Sequence, residues 1–228
     1  MNKAWSELNK TMQAQIKKKD TYEAGIDTLF DLRNQLMETL TSFNEELSRE
    51  EFDTIPFINA DGYHSKTIAY SIWHIFRIED IVAHTLISET EQVLFAGNYQ
   101  ERINSPIITT GNELVKEQIA DFSKQLNLKE LYAYILEVKD STEKIINSLS
   151  YDDLKKKVSE ERKEYLKSLN VVSDDENAIW LIDYWCGKDI RGLIQMPFSR
   201  HWIMHIEASL RIKNRIHSQV QIPVRREP

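Results

Sequence analysis

The sequence has one cysteine in 228 residues, Cys186, which rules out an intramolecular disulfide and any cysteine-rich zinc pattern. That usage fits a reducing, cytoplasmic setting. Glycine (6) and proline (5) are also scarce, which excludes collagen-like and low-complexity chains. Long apolar runs are missing: the longest unbroken one covers residues 131–136, far short of the roughly 20 residues that cross a bilayer. Residues 1–7 carry no apolar core of an export signal, so neither secretion nor a membrane partner is expected. There is no basic excess, because 29 Lys and Arg face 36 Asp and Glu for a net charge of −7. A field of that sign repels phosphate backbones, so nucleic acid is not an expected partner. The GxSxG, HExxH, Walker and GxGxxG motifs are absent as well.

What remains is 41% hydrophobic, 29% charged and 10% aromatic residues, the balance of a folded, helix-rich domain long enough to bury a sizeable core. Apolar residues recur at helical spacing in four stretches, which predicts an all-α fold with long helices at about 20–43, 66–87, 128–149 and 199–217. In the first, Ile26, Leu29, Phe30, Arg33, Leu36, Met37, Leu40 and Phe43 form one face. The second is apolar nearly all round and should run through the middle of the domain, with Thr67 or Ser65 as its cap. The connection that follows reads as a short helix, a long irregular stretch and an amphipathic helix over 112–125. Residues 155–177 read as a charged, mobile insertion. The expected organisation is an N-terminal extension at 1–19, a helical domain at 20–217 and a flexible tail at 218–228.

His201 and His205 stand at i and i+4, about 40° apart around a helix and about 6 Å along it, so two imidazoles can share one divalent ion. Histidine pairs beside Trp and Met are more commonly packing residues than ligands. His74 changes that balance by interrupting the most apolar helix, where an unpartnered imidazole is costly and a shared ion satisfies three at once. His84 points elsewhere on the second helix, His217 lies about 120° from His205, and His64 reads as a turn residue. Asp80 is a candidate to orient an imidazole. Cys186 lies in an aromatic segment that suggests burial rather than nucleophilic use. Trp180, Tyr184 and Trp185 lie outside the four main helices, where they either cover the bundle or meet a second copy in a homodimer.

The segment Ser71-Ile72-Trp73-His74-Ile75-Phe76-Arg77-Ile78-Glu79-Asp80 on an early helix, with Pro197-Phe198-Ser199-Arg200-His201-Trp202-Ile203-Met204-His205-Ile206 on the last, resembles the DinB-like superfamily over roughly residues 20–217. That resemblance implies a four-helix bundle of up-down-down-up topology with a long crossover between helices two and three, here about 87–127. This chain departs from that compact pattern by a longer helical insertion before helix four, containing Asp183-Tyr184-Trp185-Cys186-Gly187-Lys188-Asp189. The resemblance makes His74, His201 and His205 the ligands of a divalent metal ion, nickel or zinc. The group includes bacillithiol and mycothiol S-transferases, so the implied function is a metal-dependent enzyme, a thiol S-transferase or hydrolase acting on a small-molecule thiol and an electrophile. The competing class is a non-catalytic helical bundle serving interaction or stress response, with no metal or a structural one.

Overall fold

The computed structural model describes residues 2–220, with side chains up to residue 218. Among them the regular structure is helical, and the sole extended pairing is an isolated bridge between Lys157 and Asp189. In chain order the α-helices are α1 (Lys3–Gln15), α2 (Tyr22–Glu46), α3 (Arg49–Asp53), α4 (Ile68–Asp80), α5 (Val93–Ala96), α6 (Tyr99–Ile103), α7 (Glu117–Gln125), α8 (Leu128–Ser148), α9 (Glu160–Ser168), α10 (Trp180–Cys186), α11 (Ile190–Gln195) and α12 (His201–Val220). Two stretches are π-helical: Ile81–Ser88 continues α4, and Met196–Arg200 leads into α12. No described helix is long and apolar enough to cross a membrane.

Local chemistry explains the principal boundaries. Thr67 Oγ1 accepts from Tyr70 N at 3.0 Å and starts α4, while the Asn127 and Ser159 side chains cap α8 and α9 in the same way. Ser48 and Glu51 form a reciprocal capping box on α3. Ser48 followed by Glu50 and Glu51 is therefore an ordinary helix-start signal.

The apolar stripe of α2 is buried as its spacing predicts, and every residue of α4 is buried. α4 packs against α8 and α12, and α2 packs against α12 and α8. One side-chain network joins all four. Fully buried Arg33 on α2 donates to both Glu79 oxygens on α4 (3.0 and 2.8 Å), to Glu143 on α8 (3.0 Å) and to the Phe198 carbonyl before α12 (3.0 Å). Trp202 Nε1 on α12 donates to Glu79 at 2.8 Å, and the guanidinium lies over the Trp202 ring at 4.4 Å. A charge on an otherwise apolar stripe is tolerated because each of its nitrogens has a partner.

Within the N-terminal extension at 1–19, α1 lies along α2, with Trp5, Met12 and Ile16 buried. Two sequence expectations need correction. Residues 155–177 are not a mobile insertion, since α9 folds there and Leu166, Val171 and Val172 join the core. The helix expected from 112 begins at Glu117, because Gly111 and Lys116 both adopt positive φ and break the preceding segment. Of the tail expected at 218–228, residues 218–220 belong to α12 and the rest lie outside the described residues.

Candidate metal centre

α4 carries His74 inward, and α12 presents His201 and His205 one turn apart against it. One ligating atom from each lies within 4.8 Å of the others, and all three residues are buried. The ring centroids are 4.6–5.0 Å apart. His74 Nε2 and His201 Nε2 face each other at 3.2 Å, close to the roughly 3.4 Å between nitrogens in a tetrahedral zinc site.

The His74 tautomer follows from its surroundings. His74 Nδ1 lies 2.9 Å from the Thr110 carbonyl, which can only accept, so Nδ1 carries the proton and the Nε2 lone pair points at the cluster. The same irregular stretch is gripped by α4 at four successive carbonyls. Arg77 donates to Ile108 (2.7 Å), Trp73 to Thr109 (3.1 Å), His74 to Thr110 and the Tyr70 hydroxyl to Gly111 (3.0 Å). Carbonyls outside regular structure need partners when buried, and α4 side chains supply them. Gly111 is required at this bend: its φ is +78°, and a Cβ there would come within 3.0 Å of the Tyr70 ring. The Tyr70 ring in turn stacks on His74 at 5.5 Å.

Among the described residues, His201 Nδ1 and both ring nitrogens of His205 have no hydrogen-bond partner. A buried polar atom without a partner costs on the order of 1–3 kcal/mol, so three on two side chains one helical turn apart is an unusual concentration. Burial pushes the pKa of His74 down to about 4, and it pushes His201 and His205 well below the ordinary histidine value. The neighbouring imidazoles lower both α12 histidines further, and the Lys66 ammonium acts in the same direction on His74 and His205. Three neutral imidazoles, one held in the required tautomer, are a donor set that could hold a metal ion.

The other candidates go elsewhere. Asp80 does not orient an imidazole of the cluster. It accepts from Val93 N, Leu94 N, Arg77 and Tyr134, which fixes the start of α5. His84 pairs with Thr90 and Ser141, His217 with Glu51, and His64 sits in a turn beside Arg211. Cys186 is half-buried and its pKa is raised, chiefly by burial, which disfavours a thiolate. Trp185 is buried, whereas Trp180 and Tyr184 remain partly exposed. The Thr110 carbonyl was missed from the sequence because a backbone oxygen leaves no residue-type signal.

A cavity of about 290 Å³ opens over the trio, with Tyr63, Asn112, Trp180, Tyr184, Met196 and Pro197 among its walls.

No protein-family model matches the sequence, and no curated protein matches it. Among solved structures, the chain is similar to a conserved protein of Enterococcus faecalis known from a crystal structure. The TM-score is 0.56 at 14% identity, and the match covers 85% of this chain and 95% of that one. Identity that low supports a shared fold and nothing about activity.

Proposed function

We propose that this protein is a DinB-like metalloenzyme: a four-helix bundle of α2, α4, α8 and α12 in up-down-down-up order. It would hold one divalent ion, nickel or zinc, on His74, His201 and His205 and act on a small molecule by thiol transfer or hydrolysis. The observation that carries the reading is the convergence of three buried imidazoles, of which His201 leaves Nδ1 and His205 both ring nitrogens without a protein partner. A purely structural trio would be expected to satisfy those nitrogens internally.

When bound, a divalent ion with three neutral imidazole donors keeps coordination positions open and acidifies a water or thiol that occupies one. The chain's own residues do the rest. The Thr110 carbonyl holds the His74 proton on Nδ1. The π-helical turn Met196–Arg200, whose Phe198 carbonyl is held by Arg33, sets where α12 begins and so where His201 points. Tyr63 sits edge-on to His205 at 4.7 Å and limits water access from the rim.

The test is elemental analysis of untagged protein. One divalent ion per chain is expected in the wild type. His205→Ala should remove most of it and leave helical circular dichroism nearly intact, since the apolar stripes hold the bundle. Equal metal in wild type and in the triple His74, His201, His205 variant sinks the reading in favour of a non-catalytic bundle. With metal established, a matrix of low-molecular-weight thiols against electrophiles separates transfer from hydrolysis.

A further inference from the structure

The cavity over the histidines is walled on one side by a segment that belongs to none of the four long helices. α10 contributes Trp180, Leu181, Tyr184 and Trp185 to the lining, which also includes Met196 and Pro197 from the π-helical turn. α10 is not a loose flap, because Leu181, Ile182 and Trp185 are buried in the hydrophobic core. Its solvent side is different: Trp180 is 50% exposed and Tyr184 36% exposed. Both rings are nevertheless held in place. The Trp180 indole N–H donates to the Asn177 carbonyl at 2.9 Å, and the two rings meet edge to face at 5.6 Å. The Lys188 ammonium lies over the Tyr184 ring, 4.1 Å from its centroid. Large aromatic surface that is half wet yet fixed in geometry, at the mouth of a cavity, is a preformed wall for a ligand rather than a packing residue.

The lining also restricts what the ligand is. Among the described residues it carries no carboxylate, lysine or arginine, and its polar groups are Asn112, the hydroxyls of Tyr63 and Tyr184, the indoles and the neutral histidines. Within that lining a charged ligand end finds no counter-ion. The volume of about 290 Å³ lies at the low end of the roughly 300–1,000 Å³ of small-molecule pockets, which suits one or two rings and not an enclosed nucleotide.

We propose that this cavity takes a small molecule with a flat, uncharged aromatic end seated against Trp180 and Tyr184, and a donor end directed at the three imidazoles. α10 thereby selects the substrate. The aromatic half stands on the cavity alone, and only the donor half rests on the metal-centre reading.

Two probes separate those halves. 1-Naphthol, which needs no metal, is titrated into metal-free protein while the tryptophan indole N–H signals are followed by NMR. The Trp180 signal should move most, and Trp180→Ala should weaken binding about tenfold, as loss of one aromatic contact with its buried area implies. Benzohydroxamate and acetohydroxamate are then titrated into zinc-loaded protein by calorimetry. The aromatic member should bind about tenfold tighter to wild type, and Trp180→Ala should erase that preference while acetohydroxamate affinity stays unchanged. Because Trp180 is half exposed, the variant is expected to fold, and its circular dichroism checks this. Tyr184→Leu is the second variant, expected to reproduce the loss. The proposal is overturned when naphthol leaves the indole signals unmoved, or when both variants bind it as wild type does. Protein that retains no zinc but still binds naphthol refutes the metal centre and leaves the aromatic subsite standing. Zinc-loaded protein with equal affinity for the two hydroxamates does the reverse.

Discussion

Three buried imidazoles held neutral make the metal-free protein acid-sensitive in a defined window. In the unfolded chain each histidine titrates near 6.5, whereas in the folded protein burial holds His74 at about 4 and the other two well below their ordinary value. Between those values the unfolded state binds more protons than the folded one, so stability rises with pH across the window. The contribution is fully present above about pH 6.5 and is lost as pH falls toward the folded values. For His74 alone the loss is about 3 kcal/mol by the time pH 4 is reached. Each further histidine adds up to about 1.4 kcal/mol per pH unit within its own window. Set against a typical stability of about 5–15 kcal/mol, this should bring acid unfolding above the range where carboxylates ordinarily cause it. The assay is urea unfolding of metal-free protein at half-unit steps from pH 7.5 to 4.5, compared with a variant carrying glutamine at positions 74, 201 and 205. His64 and His84 are pushed in the same direction by their own burial. The difference between the two proteins therefore isolates the trio. Equal slopes of stability against pH in wild type and variant would refute the reasoning.

The Arg33 network gives a second expectation: Arg33→Ala leaves Glu79 buried and uncompensated, and urea unfolding should report a loss of about 3–5 kcal/mol. Exchanging Arg33 and Glu79 together for apolar residues of similar size should cost much less, because no charge is stranded. Gly25 on α2 lies tight against the residue that ends α1, since a Cβ there would lie 2.5 Å from Ile16 Cγ2 and 2.9 Å from the Ile16 backbone nitrogen. Gly25→Ala should therefore destabilise by about 1–3 kcal/mol. It should also expose residues 17–19 to protease, and an unchanged digestion pattern would count against the packing described for α1. Thr67→Ala removes the cap of α4 and the partner of Ser123 at 2.6 Å, and thermal unfolding should show a loss of about 1 kcal/mol.

Periodicity and caps alone determined much of this protein. The apolar stripe from Ile26 to Phe43, the all-round apolarity of α4 and the spacing of His201 and His205 are properties of a helix read along its own axis. The four long helices and the three candidate ligands were therefore legible before any packing was known. The second face of Arg33 was not, because a lone arginine on a stripe does not say which carboxylates from α4 and α8 will meet it. The N-terminal helix escaped notice for a related reason: its stripe is only Trp5, Met12 and Ile16, too sparse to stand out until α2 covers it. Tertiary structure alone decided three features of the site. It brought His74 Nε2 to 3.2 Å from His201 across 127 residues of sequence, and it placed the Thr110 carbonyl on Nδ1. It also laid the aromatic face of α10 over the cluster. The physical reason is common to all three. Helical propensity and hydrophobic spacing are local, while tautomer, desolvation and cavity shape depend on which distant groups share a small dry volume.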